Sequence, residues 1–425
     1  MNEIEAVGEE ALLDPLATGG VACKERPWLY ALLIAPSAVL MNGVVQGGVL
    51  SYVMRQQGIG IGRISEVVSL ISLPTSLYFL WSPITDFLVQ RRTWVLLGAV
   101  TAGMLMAIAF QQPNLAARSA ILLMFLAACC SQLVVSSCGG MMGTLHGERP
   151  RRVAGSFYQA GSAGFGAAAV FVLVMVSGQH RLLVALVAAL IAGPAVFVLG
   201  APRQPASDGE RFGIVMRKLG GEFKTTFWRW AAIPYALLIT FPMNSGAAVG
   251  LLPGVAQDYG VGGSQVAWMN GFGGALLMAC GSLAATLIPA KVRASVAYLM
   301  VGLVNAATLL ILWLGPLRPG VYFIGATLYL FTVGTGLAIF TAVVLEFMGH
   351  SGKSGSGRYS IINSLGNVPV LYMIRMDGWG GNRWGTRGLP GTEAVLSAVG
   401  AVILLAYFMT RKKDEAAPAG IAVVD

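Results

Sequence analysis

Ser76-Leu-Tyr-Phe-Leu-Trp-Ser-Pro-Ile-Thr-Asp-Phe-Leu-Val-Gln-Arg-Arg-Thr-Trp94 is the stretch whose reading decides the fold. An apolar run ends at Trp81, and Pro83 stops its helix. Asp86 and the pair Arg91-Arg92 follow, and Trp94 opens the next apolar run. Aromatics at headgroup level with cations in the loop between them mark a turn at a membrane surface. The rest of the chain repeats the theme of long apolar run, short loop, long apolar run.

Composition agrees. Of 425 residues, 56% are hydrophobic and 11% are charged, whereas soluble domains carry about 25% charged residues. Most of this surface therefore faces something other than water. The net charge of +9 fits loops held on the cation-rich side of a bilayer, and no nucleic-acid partner is expected. The five cysteines, Cys23, Cys129, Cys130, Cys138 and Cys280, form no CxxC pair and read as small apolar residues. His146, His180 and His350 have no metal-ligand spacing, so neither a metal nor a cofactor is expected. The acidic start (Glu3, Glu5, Glu9, Glu10, Asp14) lacks the basic and apolar regions of a signal peptide and reads as a polar tail.

A spanning helix needs about 20 apolar residues. Twelve runs qualify: Trp28–Tyr52, Ser65–Ser82, Trp94–Phe110, Ser119–Gly139, Val153–Ser177, Leu182–Gly200, Trp230–Val255, Val266–Ile288, Ser295–Leu314, Val321–Phe347, Ile361–Met376 and Glu393–Thr410. With the N-terminus inside, only Arg55, Arg63, Arg118, Arg181, Arg318, Arg375, Arg383 and Arg387 of the 28 Lys and Arg fall in outer segments. This bias puts both termini in the cytoplasm. The chain divides into a tail (1–27), a six-helix bundle (28–200), a linker (201–229), a second six-helix bundle (230–410) and a final tail (411–425). In the linker, Arg211, Arg217, Lys218, Lys224 and Arg229 alternate with Phe212, Ile214, Leu219, Phe223 and Trp228, the pattern of an amphipathic helix on the inner membrane face.

The halves read as repeats. A shift of 202 residues lays Met41-Asn42-Gly43 on Met243-Asn244-Ser245, Gly48 on Gly250, Arg91 on Arg293, Gly155-Ser-Phe157 on Gly357-Arg-Tyr359, and Gly164 on Gly366. The predicted fold class is all-α: twelve transmembrane helices in two pseudo-symmetric bundles. That plan resembles the major facilitator superfamily of transporters. The loop holding Asp86, Arg91 and Arg92 resembles the signature of that superfamily, with departures: Ser82 replaces glycine, Phe87 replaces a basic residue, and one extra residue precedes the arginine pair. The second half has a matching cluster, Glu346 with His350, Lys353 and Arg358. The resemblance implies that Asp86, Arg91, Arg92, Glu346 and Arg358 latch the cytoplasmic side in one conformation. The plainer alternative is a set of helix-end salt bridges.

The resemblance also implies a cavity between the halves, lined mainly by the first and fourth helices of each half. The polar residues there are Asn42, Gln46, Gln132, Ser136, Tyr158, Gln159, Asn244, Thr332, Thr335, Asn363 and Asn367. A side-chain amide in hydrocarbon is costly unless bonded, so each faces a wet cavity or bridges helices. Asn42 and Asn244 stand out, at equivalent mid-helix points of the two halves. Gly43 and Gly47, and Gly139 and Gly143, form GxxxG pairs suited to close helix contacts. Arg375 either attracts an anionic solute or snorkels beside Asp377. Every acid in the runs (Asp86, Asp258, Glu346, Asp377, Glu393) is expected near a helix end, so any proton coupling falls to Asp86 or Glu346.

Three segments resemble one branch of the superfamily, the AmpG-like permeases of the peptide/acetyl-coenzyme-A transporter group. They are Phe79–Asp86 with the Arg-Arg-Thr-Trp94 that follows, Tyr359–Asn367, and Asp377-Gly-Trp379. This resemblance implies proton-driven uptake of an amphiphilic, muropeptide-like solute across a bacterial inner membrane, by a monomer. A siderophore permease or drug exporter of the same fold, and a non-transporting sensor or scaffold, stay open as alternatives. No enzyme is expected, for no nucleophile–base pair or acid cluster gathers at one depth. His350-Ser-Gly-Lys-Ser354 is not a phosphate loop, since Phe347 stands where that motif needs glycine.

Overall fold

The computed structural model describes residues 26–78, 81, 85, 89–143, 148–201, 217, 220, 221, 224, 228, 233–289, 291–348, 362 and 364–410, with side chains at all of these but 143, 148–152, 345–348, 409 and 410. Every regular element among the described residues is helical. In chain order they are α1 (Leu29–Val45, continued as Val49–Gln56), α2 (Ile61–Ser76), α3 (Arg91–Phe110), α4 (Arg118–Gly143), α5 (Glu148–Met175), α6 (His180–Gly200), α7 (Ile233–Thr240, resuming at Ala247–Gly250, Leu252–Val255 and Ala256–Tyr259), α8 (Gly263–Leu287), α9 (Ala294–Leu314), α10 (Pro319–Met348), α11 (Val368–Trp384) and α12 (Gly388–Thr410). Among the described residues, eight of these are long and apolar enough to span a bilayer, nine when bent α1 is counted as one span. The remaining three have local reasons to fall short. The described part of α2 is 16 residues, α7 is broken, and α11 carries Arg375, Asp377 and Arg383 within 17 residues.

Two of the interruptions are written in the backbone. Gly48 takes φ 92° where α1 bends by 44°, a conformation glycine enters without steric cost. In α7, Asn244 at φ 54° and Gly246 at φ 68° turn the chain out of helix. Asparagine is among the few other residues that tolerate the left-handed region.

The last two spans correct the sequence expectation. Helix α11 runs on to Trp384 rather than ending at Met376, and α12 starts at Gly388 rather than Glu393. Gly378-Trp-Gly-Gly381 resembles a loop in composition, yet it is helical, because its glycines admit neighbours. A Cβ at Gly381 would meet Ile61 Cγ2 at 2.7 Å, and Gly378 abuts Ser65.

Small residues set the packing elsewhere too. In the first half, a Cβ at Gly43 would stand 2.6 Å from Ala169, and one at Gly166 would stand 2.8 Å from Asn42, which brings α1 against α5. Arg91 Nη1 donates to Gly140 O of α4 at 2.7 Å. Arg92 donates to Val198 O at 3.1 Å and Leu199 O at 2.8 Å, satisfying carbonyls at the C-terminal end of α6, where a cation is favoured. In the second half, Gly281 and Gly334 bring α8 and α10 to backbone contact. The described contacts of both arginines thus lie within the first half. Their expected partner Asp86, together with Arg358 and Asn363, lies outside the described residues, as does the side chain of Glu346. The linker helix expected over 201–229 also lies outside them except at scattered positions.

Candidate functional site

The halves meet along a seam formed by α2 with α11, α5 with α8, and the bends of α1 and α7. We call the face where α1 starts and α12 ends the terminal face, and the opposite one the far face. The polar contacts described across the seam run from the far rim to mid-span. Arg55 Nη2 pairs with Asp258 at 3.1 Å, and Thr386 Oγ1 donates to the same carboxylate at 2.7 Å. The Gly62 amide donates to Asn382 Oδ1 at 3.0 Å. Deeper in, Ser69 Oγ donates to Leu371 O at 2.8 Å. Arg55, Asp258, Asn382 and Thr386 also line a small cavity of about 210 Å³ at this rim.

At mid-seam the two interrupted helices cross. Gly48 of α1 lies against Pro253 of α7, and a Cβ at Gly250 would come 3.0 Å from Gln46 O. The pair Gly48 and Gly250, matched by the 202-residue shift, therefore meets the partner half from both sides.

Below this crossing, Asn42 is exposed while Met41, Gly43, Val44 and Val45 around it are buried. No protein covers this mid-span amide, and the cost of an amide against hydrocarbon favours a wet surrounding there. Its Nδ2 donates to Ser162 Oγ of α5 at 2.9 Å and to Ser162 O at 3.4 Å. Gln159, one turn along α5, is exposed as well, and Ser156, Gln159 and Ser162 share a face by their i, i+3 spacing. Gln46, Tyr158 and Asn367 are half-buried. These residues form a polar surface made mainly by α1 and α5.

The other expected cavity residues are placed differently. Asn244 is 6% exposed and donates from Nδ2 to Tyr298 O of α9 at 2.9 Å. Thr332 is 7% exposed and accepts from Asn305 Nδ2 at 2.7 Å, tying α10 to α9. Thr335 donates to Gly281 O at 2.9 Å, tying α10 to α8. Gln132 is buried in α4. Asn244, Thr332 and Thr335 have thus found helix partners, the cheaper fate for a polar side chain away from water. Arg375 is exposed on α11 and makes no ion pair with Asp377, which is fully buried.

The acids depart furthest from expectation. Asp377 and Glu393 are both fully buried inside helices rather than at their ends. Glu393 Oε1 accepts from Tyr329 OH of α10 at 2.8 Å and from Ser245 Oγ at 2.9 Å. Its Oε2 accepts from the Ala248 amide at 2.9 Å, so the carboxyl group straddles the restart of α7. Asp377 adjoins the Glu393 carboxyl group, and neither of its oxygens meets a hydrogen-bond donor. Among the described residues the ion pairs are Arg55–Asp258 and Arg63–Glu66, so no cation neutralises this pair.

No protein-family model matches the chain, and no curated protein matches its sequence. Solved structures do. A mutant of the nucleoside transporter NupG is 12% identical with a TM-score of 0.64, over 90% of this chain and 98% of that one. A bacterial homolog of the human lysosomal transporter Spinster, in an inward-facing and occupied conformation, is 14% identical with a TM-score of 0.63, over 90% and 95%. A POT family transporter in complex with 5-aminolevulinic acid is 11% identical with a TM-score of 0.64, over 91% and 96%. Likeness at this identity establishes the fold: the chain is a multi-pass membrane protein with the major facilitator architecture.

Proposed function

We propose that the protein is a secondary transporter that carries a small solute through the seam by alternating access. The carrying observation is Asn42: an exposed amide at mid-span, beside a polar face of α5, under a seam whose described clasps lie toward the far face. A solute reaching Asn42 in this state enters from the terminal face. Release of the Arg55–Asp258 clasp would expose the same wall to the far side. The cation bias supports a cytoplasmic terminal face, and the resemblance to AmpG-like permeases supports a bacterial inner membrane.

The reading extends to proton-driven uptake of an amphiphilic, muropeptide-like molecule. The amides of Asn42, Gln46 and Gln159 offer donors and acceptors suited to the hydroxyl and peptide groups of such a solute. The test is uptake by proteoliposomes of labelled muropeptides, siderophores and coenzyme A derivatives, with and without a pH gradient. Muropeptide accumulation that needs the gradient is the expected result. Accumulation of another class alone would replace the substrate. Uptake no better than empty vesicles for every class would remove transport of these solutes altogether.

A further inference from the structure

We propose that Asp377 and Glu393 form the proton-binding site of this transporter, loaded from the far face, and that protonation of Asp377 is what lets the far side of the seam close. The inference rests on the proton-coupled reading above and locates its coupling device.

The argument starts from what surrounds each carboxyl group. Glu393 has three donors: the Tyr329 hydroxyl, the Ser245 hydroxyl and the Ala248 amide. That environment suits a carboxylate, which only accepts hydrogen bonds. Asp377 has none, although it is fully buried. An ionised, unbonded carboxylate buried beside a second one carries a large desolvation cost as well as repulsion. Among the described residues, no cation faces the pair. Helix α10 offers Tyr329, α7 offers Ser245 and Ala248, and α2 offers Ser65 next door at Gly378. The charged residues of α2, Arg63 and Glu66, pair with each other at the surface, and Asp258 of α7 pairs with Arg55. The state with Asp377 as a neutral acid and Glu393 as the anion satisfies these constraints.

The far rim comes close to the pair. The far-rim cavity is lined by Gly381 and Asn382, and Gly381 lies one helical turn from Asp377. Asp377 also sits at the seam, because its neighbour Gly378 abuts Ser65 of α2. Opening the seam there would hydrate Asp377, so that the ionised carboxylate is tolerated and takes a proton from the far side. Closing the seam buries the group again and requires that proton on the carboxylate. Glu393 carries the same event to α7, since it holds Ser245 and Ala248 on either side of Gly246 and so pins the break.

The test reads far-face opening directly and needs no solute. In a chain with its five cysteines replaced, Gly60→Cys and Arg383→Cys carry spin labels across the far rim, and their distance is measured in lipid vesicles from pH 5 to 9. The expected result is a short distance at acid pH and a growing long-distance population at alkaline pH. Asp377→Asn, a permanent mimic of the protonated acid, is expected to hold the short distance throughout. Glu393→Gln, a second variant should that one fold poorly, is expected to move the transition midpoint at least tenfold in proton concentration. An Asp377→Asn chain that titrates like the parent, a parent that does not respond to pH, or a response to sodium at fixed pH would each overturn the proposal. Failure of muropeptide uptake with the pH response intact would sink the substrate reading and leave this site standing. Gradient-driven uptake that persists in Asp377→Asn would do the reverse.

Discussion

Helices α1 and α7 occupy equivalent places in the two halves, and the 202-residue shift lays Asn42 on Asn244. Their fates differ. Asn42 keeps a helical backbone, is exposed, and shares its amide with Ser162 of α5. Asn244 is 6% exposed, takes φ 54°, and spends its amide on Tyr298 O. A Cβ at Gly336 of α10 would stand 3.0 Å from its Cγ. One half leaves the amide uncovered against α5, and the other uses it to hold a break in a helix. Internal repetition therefore fixes where a residue sits along a span, while the local backbone decides whether it is left uncovered or absorbed into the scaffold.

Substitutions can break this contrast. The largest effect is expected at the bend of α1. Gly48→Val places a β-branched residue at φ 92° against Pro253, and strain plus overpacking should remove about 3 kcal/mol, seen as a lower thermal midpoint in detergent. Asn244→Ala should lose about 2 kcal/mol, from a hydrogen bond and a left-handed backbone that alanine resists. Asn244→Gly should recover the backbone share of that loss, and equal losses in the two variants would mean that the break does not depend on φ. Arg55→Ala removes a clasp that is 30% exposed at Arg55 and 25% at Asp258. Such pairs contribute up to about 1 kcal/mol, so the far-open population should rise by no more than about fivefold, read by spin-label distances, and less in high salt. The smallest effect on stability is expected at Asn42. Asn42→Ala should stay within about 0.5 kcal/mol of the parent, as exposed positions do, while weakening uptake. In a cysteine-free chain, Asn42→Cys should react with a water-soluble maleimide and Asn244→Cys should not. Equal labelling would dissolve the comparison.

The all-helical fold and the order of the spans were legible because lipid demands long apolar runs, and those runs dominate the chain. What escaped had physical reasons. Gly378-Trp-Gly-Gly381 carries the glycine content of a loop, but in a membrane helix glycine is how two backbones approach, and the misreading pushed Asp377 and Glu393 to helix ends. The acids themselves were visible, as was Tyr329, but no periodicity reports that residues from α10, α11 and α12 converge on one another. Thr332 and Thr335 were visible as polar groups in an apolar helix. Whether such a group faces water or a neighbouring carbonyl depends on how the helix is rotated, and α10 is apolar on every side. The far-face clasp was missed because Arg55 and Asp258 are 203 residues apart and each reads as an ordinary loop charge.

The backbone contact between α8 and α10 at Gly281 and Gly334 leaves no layer of side chains to act as a lubricant between them. Ser282 Oγ and Thr335 Oγ1 rivet the same place through carbonyls of Gly334 and Gly281, each at 2.9 Å. The two helices are thus one plank. Flexure in the second half has to gather at the joint around Gly246, where a carboxyl group already has its grip.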